Sequence, residues 1–593
     1  MLTLFKFVIT HMRIIDVVHQ LLPAGTDPAR FDTPALLENI QEFVALTAKS
    51  PSHLLCPVWP PDMFAVVGTI IDLSGCYTEA SPNRNDLVSH EAYLNEVKSI
   101  VKSWKNLLKV PKKLERLWRE LIKDHGDIDL GEIIAHPRAL DLLLMLFAIA
   151  DDASKGMGWS RLSSSEKLTD FAATVLANDD PERTEIKFWL PYWPRSLCAI
   201  VSPDRAIVLP KSITTTKGCT IRSLSHNLAL LPCDTVLAPE WNLASHEAKA
   251  NVDPIRLLLV PFPYSIPPGS FKLTSPRRAL SNDTTHAAFF GLEQRWLAQP
   301  GKIRLDGGAL ARDLILPLIA EAKAETGATP TGIVLPECAL SADTTEEMVN
   351  ALKGSGIELI ITGALENGDD GDRPLNTAYT FVMQGNDILA VSAQSKHHRW
   401  RVDQDQANSY SLDFDPDKTN RQWWEDIDVA FRNLPFYAIR KDMSIVTLIC
   451  EDLARMDPAM NAIRAIGPNL VVALLMDGPQ LSGRWPGRYA GVLADEPGCA
   501  VLTLTCAATV DLSNRHYMKV NRKRKAPPRT IGLWRQADGR AIHIDLPDNA
   551  NGVLLTLKTD PKHQTTLDNR SDKSSSRELT FVSQKPLFSG IRL

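Results

Sequence analysis

The stretch SIVTLICEDLAR, residues 444–455, is the segment that decides the fold. Its first part predicts a buried strand that ends at Cys450, and the residues that follow predict a turn into a helix. At such a turn, the N-terminal end of the helix and a nearby lysine can stabilise a thiolate. The same position also suits a buried, unreactive cysteine, so this stretch alone leaves both interpretations open.

Two other predicted strands end on ionisable residues. Glu337 follows the apolar strand and proline of GIVLPEC, residues 332–338, where burial would raise its pKa and suit it to proton transfer near neutral pH. Lys396 ends AVSAQSK, residues 390–396, where its ammonium can face a developing oxyanion. Each of the two also fits an ordinary loop position. Because α/β folds place their active sites at strand ends, Glu337, Lys396 and Cys450 are candidate catalytic residues.

Strands and helices alternate regularly beyond residue 251, which is typical of a layered α/β fold. A helix is predicted at 309–326. The predicted strands are 255–261, 332–335, 359–362, 378–383, 388–395, 444–450, 470–475, 500–505 and 552–557.

The order, spacing and flanking residues of the three sites resemble the nitrilase superfamily of carbon-nitrogen hydrolases over residues 255–557. Residues 334–337 are similar to the glutamate motif of that family, and 449–452 to its cysteine motif in the form seen in glutaminase domains of NAD synthetases. Further similar stretches are the opening strand 255–261, the Gly-rich strand 361–366, the Asn-Thr-Ala strand 375–378, the hairpin 385–388 and the closing hairpin 530–534 with 538–539.

This resemblance implies an α-β-β-α sandwich that acts as a thiol hydrolase. Glu337 would take the proton of Cys450, the thiolate would attack an amide or nitrile carbon, and Lys396 would stabilise the tetrahedral intermediate. Water activated by Glu337 would then hydrolyse the acyl-thioester, and the backbone N–H of Glu451 is a candidate second oxyanion donor. The implied substrate is a small-molecule amide or nitrile, with no cofactor or metal. Superfamily members commonly assemble, so a homo-oligomer through this domain is implied as well.

Two stretches depart from the family pattern. Many members carry a second glutamate shortly after the lysine, whereas this chain has Gln404 between Asp403 and Asp405. Either one of these aspartates substitutes as a supporting residue, or the site is altered. The helix that usually carries an Arg-Ala-x-Glu-Asn-like stretch reads LADEPG here, residues 493–498, so the family's contacts at that helix cannot be transferred.

The N-terminal half has a different pattern. Apolar residues recur at helical spacing up to about residue 160, as in 35–44 and 114–122, whereas 187–231 contains short β-like runs at 197–201 and 206–209. We therefore predict four parts. These are a mainly α-helical domain of unknown role (1–180), a small β-containing connector (181–250), the hydrolase domain (251–560) and a partly flexible tail (561–593).

Composition excludes several classes of protein. The 593 residues exceed the size of one hydrophobic core, and a net charge of −5 gives no general attraction to nucleic acid. Nine cysteines without a CxxC pair, and no HExxH, favour a reducing cytoplasm and argue against a zinc site. No apolar run is long enough to span a membrane, and the N-terminal run 1–23 is interpreted as a buried amphipathic helix rather than a signal peptide.

Some segments allow more than one interpretation. The basic run HYMKVNRKRKAPPR, residues 516–529, predicts an exposed extended loop that contacts a phosphate-bearing ligand or nucleic acid, or is simply solvated. Trp423, Trp424 and Trp485 could border a pocket, although packing in the core or at an interface is the simpler interpretation.

Two functions compete at this point. The first is an amidase-like hydrolase whose N-terminal half selects substrates or partners; a glutaminase would need a separate synthetase, since no phosphate loop is present. The second is an oligomeric interaction or sensor module, with a protein or nucleic-acid partner for the N-terminal half. Residues 208–211 and 224–227 faintly resemble nitrilase proteins linked to bacterial reverse transcriptases in antiphage defence.

Overall fold

The structure is a computed structural model that describes most of the chain. The ranges described are 12–22, 56–80, 86–106, 110–159, 191–233, 236–243, 254–275, 288–298, 305–368, 372–412, 422–440, 442–521, 525–571 and 576–590. The apolar run 35–44 and most of the predicted N-terminal helix at 1–23 lie outside these ranges.

The described part of the N-terminal half is helical, as the periodicity predicted. Its helices are α1 (Ile14–Leu21), α2 (Pro60–Ser74), α3 (Leu87–Asn106), α4 (Lys112–His125) and α5 (Pro137–Ala153). Helix α4 buries the apolar stripe from which it was predicted. Helix α2 begins at a proline, and the residue that follows its end is Gly75, whose φ of 70° only glycine adopts easily. These helices share one hydrophobic core, which we call the helical core.

One strand predicted in the connector is wrong. Residues 197–201 are apolar, but they form an irregular loop because a buried carboxylate takes their backbone donors. Asp62 accepts hydrogen bonds from the backbone N–H groups of Ala199, Ile200 and Val201 at 3.2, 2.9 and 2.9 Å. Burial raises the pKa of Asp62 to about 6, against the effect of these donors.

The other predicted strand of the connector exists and joins two cores. Strand β1 (Ala206–Pro210) pairs antiparallel with β2 (Leu228–Pro232). Because side chains alternate along a strand, Ala206 and Val208 pack into the helical core, whereas Ile207 and Leu209 pack on the C-terminal half. A third strand, β3 (Ala238–Leu243), joins a sheet of the C-terminal half directly.

The C-terminal half contains two large sheets. The first has the spatial order β11 (Asp387–Ser395), β10 (Leu375–Gln384), β9 (Leu359–Glu366), β7 (Gly332–Val334), β4 (Ile255–Leu259), β20 (Gly552–Lys562) and β21 (Ser576–Leu587), with β8 (Leu340–Ser341) beside β9. The second has the order β19 (Ala541–Asp545), β18 (Thr530–Arg535), β17 (Ala500–Thr505), β16 (Leu470–Leu475), β15 (Met443–Ile449), β14 (Asn433–Arg440) and β3. All nine strands predicted in the C-terminal half are present, with differences of up to five residues at their ends.

The two sheets pack face to face and are covered by helices on their outer faces. Leu257, Val334, Val472 and Leu502 belong to the core between the sheets. The first sheet is covered by α6 (Gly307–Leu310, a π-helical turn Ala311–Ile315 and Leu316–Thr326) and α7 (Ala342–Ala351). The second is covered by α9 (Ala459–Ile466) and α10 (Trp485–Asp495). This arrangement is the predicted α-β-β-α sandwich.

A smaller sheet lies beside the first large sheet. Its spatial order is β12 (Arg401–Asp403), β13 (Gln422–Glu425), β6 (Ala288–Leu292) and β5 (Phe271–Ser275), and the short helix α8 (Gln404–Ser409) follows β12. It brings the segment around residue 425 back beside the segment that follows Lys396, because β12 pairs antiparallel with β13.

Part of the tail, which was predicted to be partly flexible, forms a strand among the residues that the structure describes. Residues 552–562 and 576–587 form a long antiparallel pair at the edge of the first sheet. Between them, the buried Arg570 pairs with Asp151, Asp152 and Asp568 at 3.0, 2.5 and 2.9 Å. One of the polar residues of this segment, Arg570, is therefore buried in an ion-pair network that reaches the helical core.

The basic run 516–529 is also different from the prediction at its start. Residues 516–520 are the last part of α11 (Ala507–Val520) rather than an extended loop, and residues 522–524 lie outside the described ranges. Asn514 on this helix donates to the backbone carbonyl groups of Pro527 and Pro528 at 3.3 and 3.2 Å, so the described remainder of the run folds back against the helix.

Candidate active site

Glu337, Lys396 and Cys450 follow β7, β11 and β15, and all three side chains are buried, with exposed fractions of 2%, 1% and 4%. The Lys396 Nζ donates to Glu337 Oε1 at 2.8 Å. The charges of both residues act on the Cys450 thiol, so the three groups share one buried environment. The structure therefore brings together the three residues that the sequence singled out.

The loop that carries Glu337 needs the glycine of the neighbouring strand. A Cβ atom at Gly363 would lie 2.5 Å from the Glu337 Cα and 2.5 Å from the Pro336 carbonyl oxygen. Gly363 also donates its N–H to that carbonyl at 3.1 Å, and Cys338 has a positive φ of 50°. Because Gly363 has no side chain, the backbone of Pro336 and Glu337 can lie directly against β9, and this contact fixes the position of Glu337 at the end of the first sheet.

Cys450 occupies a strained turn. Its φ is 45°, in the left-handed region that costs a residue with a side chain about 1–2 kcal/mol. It opens a 3₁₀ helix, Cys450–Ala454, directly at the end of β15. A non-glycine residue held in this conformation at a strand end is a feature that concentrates at functional sites.

A second carboxylate, which the sequence analysis missed, also binds the lysine. Glu425 Oε2 accepts from Lys396 Nζ at 2.6 Å and from the backbone N–H of Trp400 at 2.9 Å. Its Oε1 accepts from Asn376 Nδ2 at 3.0 Å. Asn376 Nδ2 also donates to Glu337 Oε1 at 2.9 Å. Both oxygens of Glu425 are therefore occupied, whereas Glu337 Oε2 is buried without a hydrogen-bond partner among the described residues.

The aspartates expected to replace the second glutamate do not contact the lysine. Asp403 is exposed and caps α8, where its carboxylate accepts from the Gln406 N–H at 2.8 Å. Asp405 is exposed in the first turn of the same helix. The prediction of these two as supporting residues is wrong, because the partner of Lys396 comes from β13 and not from the chain that directly follows the lysine.

Asp452 holds the lysine loop against the cysteine turn. Its Oδ2 accepts from the His397 N–H at 3.0 Å, and its Oδ1 lies 3.0 Å from His398 Nδ1. Asp452 is buried, in the Cys-Glu-Asp motif, two residues after Cys450. The motif was recognised in the sequence, but this bracing contact was not.

Charge and burial set the protonation states of the site. Burial alone would lower the pKa of Lys396, but Glu337 and Glu425 hold this pKa well above its usual value. Burial raises the pKa of Glu337 above its ordinary value; Lys396 opposes this effect and Glu425 adds to it. Burial and Glu337 also raise the pKa of the Cys450 thiol, so the site holds an ammonium beside a neutral thiol.

The other predicted residues take varied places. Glu451 lies in the 3₁₀ helix and pairs through its side chain with Arg455 at 2.9 Å. Trp423 is buried in the core outside the first sheet, and Trp424 and Trp485 are partly buried. Among the residues that the structure describes, no cluster of His, Cys, Asp and Glu could bind a metal ion, and none of the helices is both long and apolar enough to cross a bilayer.

Comparison with known proteins yields matches in structure only. No protein-family model and no curated protein matches the chain. The glutamine-dependent NAD+ synthetase from Acinetobacter baumannii aligns over 56% of this chain and 48% of its own, with 12% identity and a TM-score of 0.29. The chain thus spans about half the length of that synthetase.

Two further solved structures are similar over a larger share of their own length. Saccharomyces cerevisiae Nit3, a member of branch 10 of the nitrilase superfamily, aligns over 49% of this chain and 86% of its own, with 11% identity and a TM-score of 0.29. A mutant of the amidase from Nesterenkonia sp. AN1 aligns over 49% and 89%, with 14% identity and a TM-score of 0.28. The nitrilase superfamily is the family that the sequence motifs resemble.

Proposed function

We propose that this chain is a thiol-dependent carbon-nitrogen hydrolase that acts on non-peptide amide or nitrile bonds, with Glu337, Lys396 and Cys450 as its catalytic residues. The observation that carries the proposal is the buried contact of Lys396 with Glu337, whose second carboxylate oxygen has no partner among the described residues and lies in the environment of Cys450. A buried acceptor without a donor is costly, and proton transfer from the thiol would supply one.

The first step forms the nucleophile and the acyl-enzyme. Glu337 accepts the thiol proton, and the Cys450 sulfur attacks the amide carbon. Lys396 and the N–H of Glu451 stabilise the negative oxygen of the tetrahedral intermediate. The C–N bond then breaks, and Glu337 returns the proton to the leaving nitrogen, so that ammonia or an amine departs and a thioester remains.

The second step regenerates the thiol. Glu337, again ionised, takes a proton from water, and the oxygen of this water attacks the thioester carbon. The C–S bond breaks, the carboxylic acid leaves, and the sulfur recovers its proton from Glu337. The raised pKa of Glu337 supports this use of one carboxylate as both base and acid near neutral pH.

Ammonia release from a panel of primary amides and nitriles tests the proposal on the full chain. We expect Cys450→Ala to lower the rate of ammonia release by at least about 10³-fold, as loss of a nucleophile does in other covalent hydrolases. Cys499→Ala is the matched control, since Cys499 is equally buried but packs in the core outside the second sheet. Equal release by the Cys450 variant and the wild type would refute the proposal.

The remaining expectations stay predictions. These are a homo-oligomer through the sandwich, a protein or nucleic-acid partner for the N-terminal half, a cytoplasmic location and a role in antiphage defence. The alternative of a pure interaction module is separated from the hydrolase by the same Cys450→Ala variant, since an interaction module would keep its biological activity without the thiol.

A further inference from the structure

A third carboxylate stands beside Cys450 on the next strand. Strands β15 and β16 are parallel neighbours with Ile449 opposite Leu474, so Cys450 and Asp477 both follow the same edge of the second sheet. Asp477 is 6% exposed, and its charge acts on the Cys450 thiol. It therefore belongs to the environment of the nucleophile, although no step of the proposed hydrolysis uses it.

The backbone of Asp477 is held rigidly. Its carbonyl oxygen accepts from the hydroxyl groups of Thr505 and Thr509 at 2.7 and 2.6 Å, and its N–H donates to Thr505 Oγ1 at 2.9 Å. These bonds fix the direction in which the side chain leaves the sheet edge. A fixed carboxylate suits recognition, because little ordering remains to be done when a ligand binds.

Within the described part of the chain, one oxygen of Asp477 has hydrogen-bond donors and the other has none. Oδ1 accepts from the Tyr410 hydroxyl and from Arg484 Nη2, the latter at 3.0 Å. Oδ2 is buried and has no hydrogen-bond partner among the described residues. The ring of Tyr410 packs edge-on against the ring of Trp400, with centroids 6.0 Å apart. The backbone N–H of Trp400 donates to Glu425. Asp477 is thus linked through these two aromatic residues to the carboxylate that holds Lys396.

The charges around the thiol indicate the sign of a ligand. Among the charges that act most strongly on the thiol, the carboxylates of Glu337, Glu451 and Asp477 raise the pKa of Cys450 and the ammonium of Lys396 lowers it. Arg455 and Arg484 pair with two of these carboxylates, those of Glu451 and Asp477. An anionic group placed here would be repelled, whereas a positively charged donor would be attracted. A buried carboxylate oxygen also forms its strongest hydrogen bonds with charged N–H donors.

We propose that Asp477 Oδ2 is a substrate-recognition group, and that the substrates of this site carry a primary ammonium or guanidinium group on the acyl side of the scissile bond. The inference rests on the proposed function, since it assumes that Cys450 is the nucleophile. Arg484 neutralises part of the Asp477 charge through Oδ1 and so tunes the strength of this recognition.

Alkylation of Cys450 in the full chain tests this inference without a known substrate. The probes are 2-bromoethylamine, which is cationic, iodoacetamide, which is neutral, and iodoacetate, which is anionic. The rate at Cys450 is followed by mass spectrometry and divided by the rate at the same cysteine in urea-unfolded protein. The readout is the ratio of the normalised rates for the cationic and neutral probes, in which changes of thiol reactivity cancel.

We expect a ratio of about ten in the wild type, which is the effect of one charge-assisted hydrogen bond, and iodoacetate should be the slowest probe. Asp477→Asn should bring the ratio to about one, whereas Arg484→Gln should raise it above the wild-type value. Asp511→Asn is the control and should leave the ratio unchanged, because Asp511, on α11, is held in an ion pair with Arg529 at 2.7 Å and is not one of the charges that act most strongly on the thiol.

The outcomes separate the two proposals. A wild-type ratio of one or below, or a ratio that Asp477→Asn and Arg484→Gln both leave unchanged, overturns the recognition role while Cys450 still reacts. If Cys450 in the folded protein reacts with none of the probes although the unfolded protein does, the thiol is not an available nucleophile. The proposed function and the recognition role then fail together.

Discussion

Replacement of Glu425 by glutamine removes one of the two charges that hold Lys396 and changes almost no volume. In the native site, Glu425 accepts from Lys396, Trp400 and Asn376. A glutamine can keep acceptors for only part of this set, because its amide nitrogen is a donor. If the amide nitrogen of the new glutamine lies toward Asn376 Nδ2, two N–H donors face each other and no hydrogen bond forms between them.

Asn376 cannot relieve this conflict without a second cost. In the native site, the side-chain oxygen of Asn376 has no partner in the part of the chain that the structure describes. If the amide turns over, this oxygen accepts from the new glutamine, but it then also faces Glu337 Oε1, where two acceptors meet. Removal of one partner from a buried ion pair costs about 3–5 kcal/mol, and one hydrogen bond to a charged group contributes about 1.5–3 kcal/mol. Because Lys396 keeps Glu337, we expect Glu425→Gln to lower the free energy of unfolding by about 2–3 kcal/mol.

Thermal unfolding of the full chain, followed by calorimetry, measures this effect. For a hydrolase domain of about 300 residues, a loss of this size should lower the midpoint of the transition that unfolds it by about 3–5 °C. Asp426→Asn is the matched control, since Asp426 is the next residue and pairs with Arg373, which is half exposed. That variant should shift the midpoint by far less, because partly exposed pairs contribute little.

The same variant should change the pH dependence of the thiol. Glu425 adds to the raised pKa of Glu337, so its removal should move the acidic limb of Cys450 alkylation to lower pH. If Glu425→Gln unfolds like Asp426→Asn and its pH profile matches that of the wild type, the view that two carboxylates share Lys396 is refuted.

Three other features of the structure can be tested by substitution or by pH. Gly363→Ala should lower ammonia release by at least about tenfold, because the new Cβ would displace Glu337, while circular dichroism should show an intact fold. In the wild type, the rate of Cys450 alkylation by iodoacetamide should fall as pH drops through a pKa above the ordinary carboxyl range, since burial raises the pKa of Glu337 and only its ionised form accepts the thiol proton. Arg570→Met should lower the free energy of unfolding by about 3–5 kcal/mol, because it leaves buried aspartates without their cation, whereas Arg540→Met, at an exposed pair, should unfold like the wild type.

The sandwich could be predicted because its strands are buried on both faces. Strands such as Leu470–Leu475 and Ala500–Thr505 are nearly continuous apolar runs, and their observed bounds match the predicted ones. The run 197–201 has the same composition, yet it is a loop, because its donors are taken by Asp62, more than a hundred residues away in sequence. Local composition cannot show such a distant acceptor.

The strand in the tail was missed for the opposite reason, because its sequence is polar although it pairs as a strand. Strand β21 (Ser576–Leu587) pairs along its whole length with β20, but many of its side chains are exposed or only partly buried, so its sequence is polar like that of a loop. Pairing of backbone groups stabilises such an edge strand without an apolar signature. The polar residue that does matter, Arg570, is identified only by its buried partners.

At the active site, the same limit separates the residues that were found from the one that was missed. Glu337, Lys396 and Cys450 each lie within three residues of the end of a recognisable strand, so the sequence marks them. Glu425 reaches Lys396 only because β12 and β13 pair, with Arg401 opposite Trp424. Proximity in sequence instead favours Asp403 and Asp405, which cap and begin the helix α8 and do not bind Lys396.

The presence of two carboxylates on one lysine has a consequence for the proposed cycle. When Glu337 accepts the thiol proton, it becomes neutral and no longer stabilises the ammonium of Lys396. Glu425 has both oxygens occupied by donors and keeps its contact with Lys396 at that moment. The lysine thus retains its charge when the oxyanion forms, which is when a fixed positive charge lowers the barrier most. In a site without Glu425, the proton transfer that forms the Cys450 thiolate would also neutralise the carboxylate that stabilises the Lys396 ammonium.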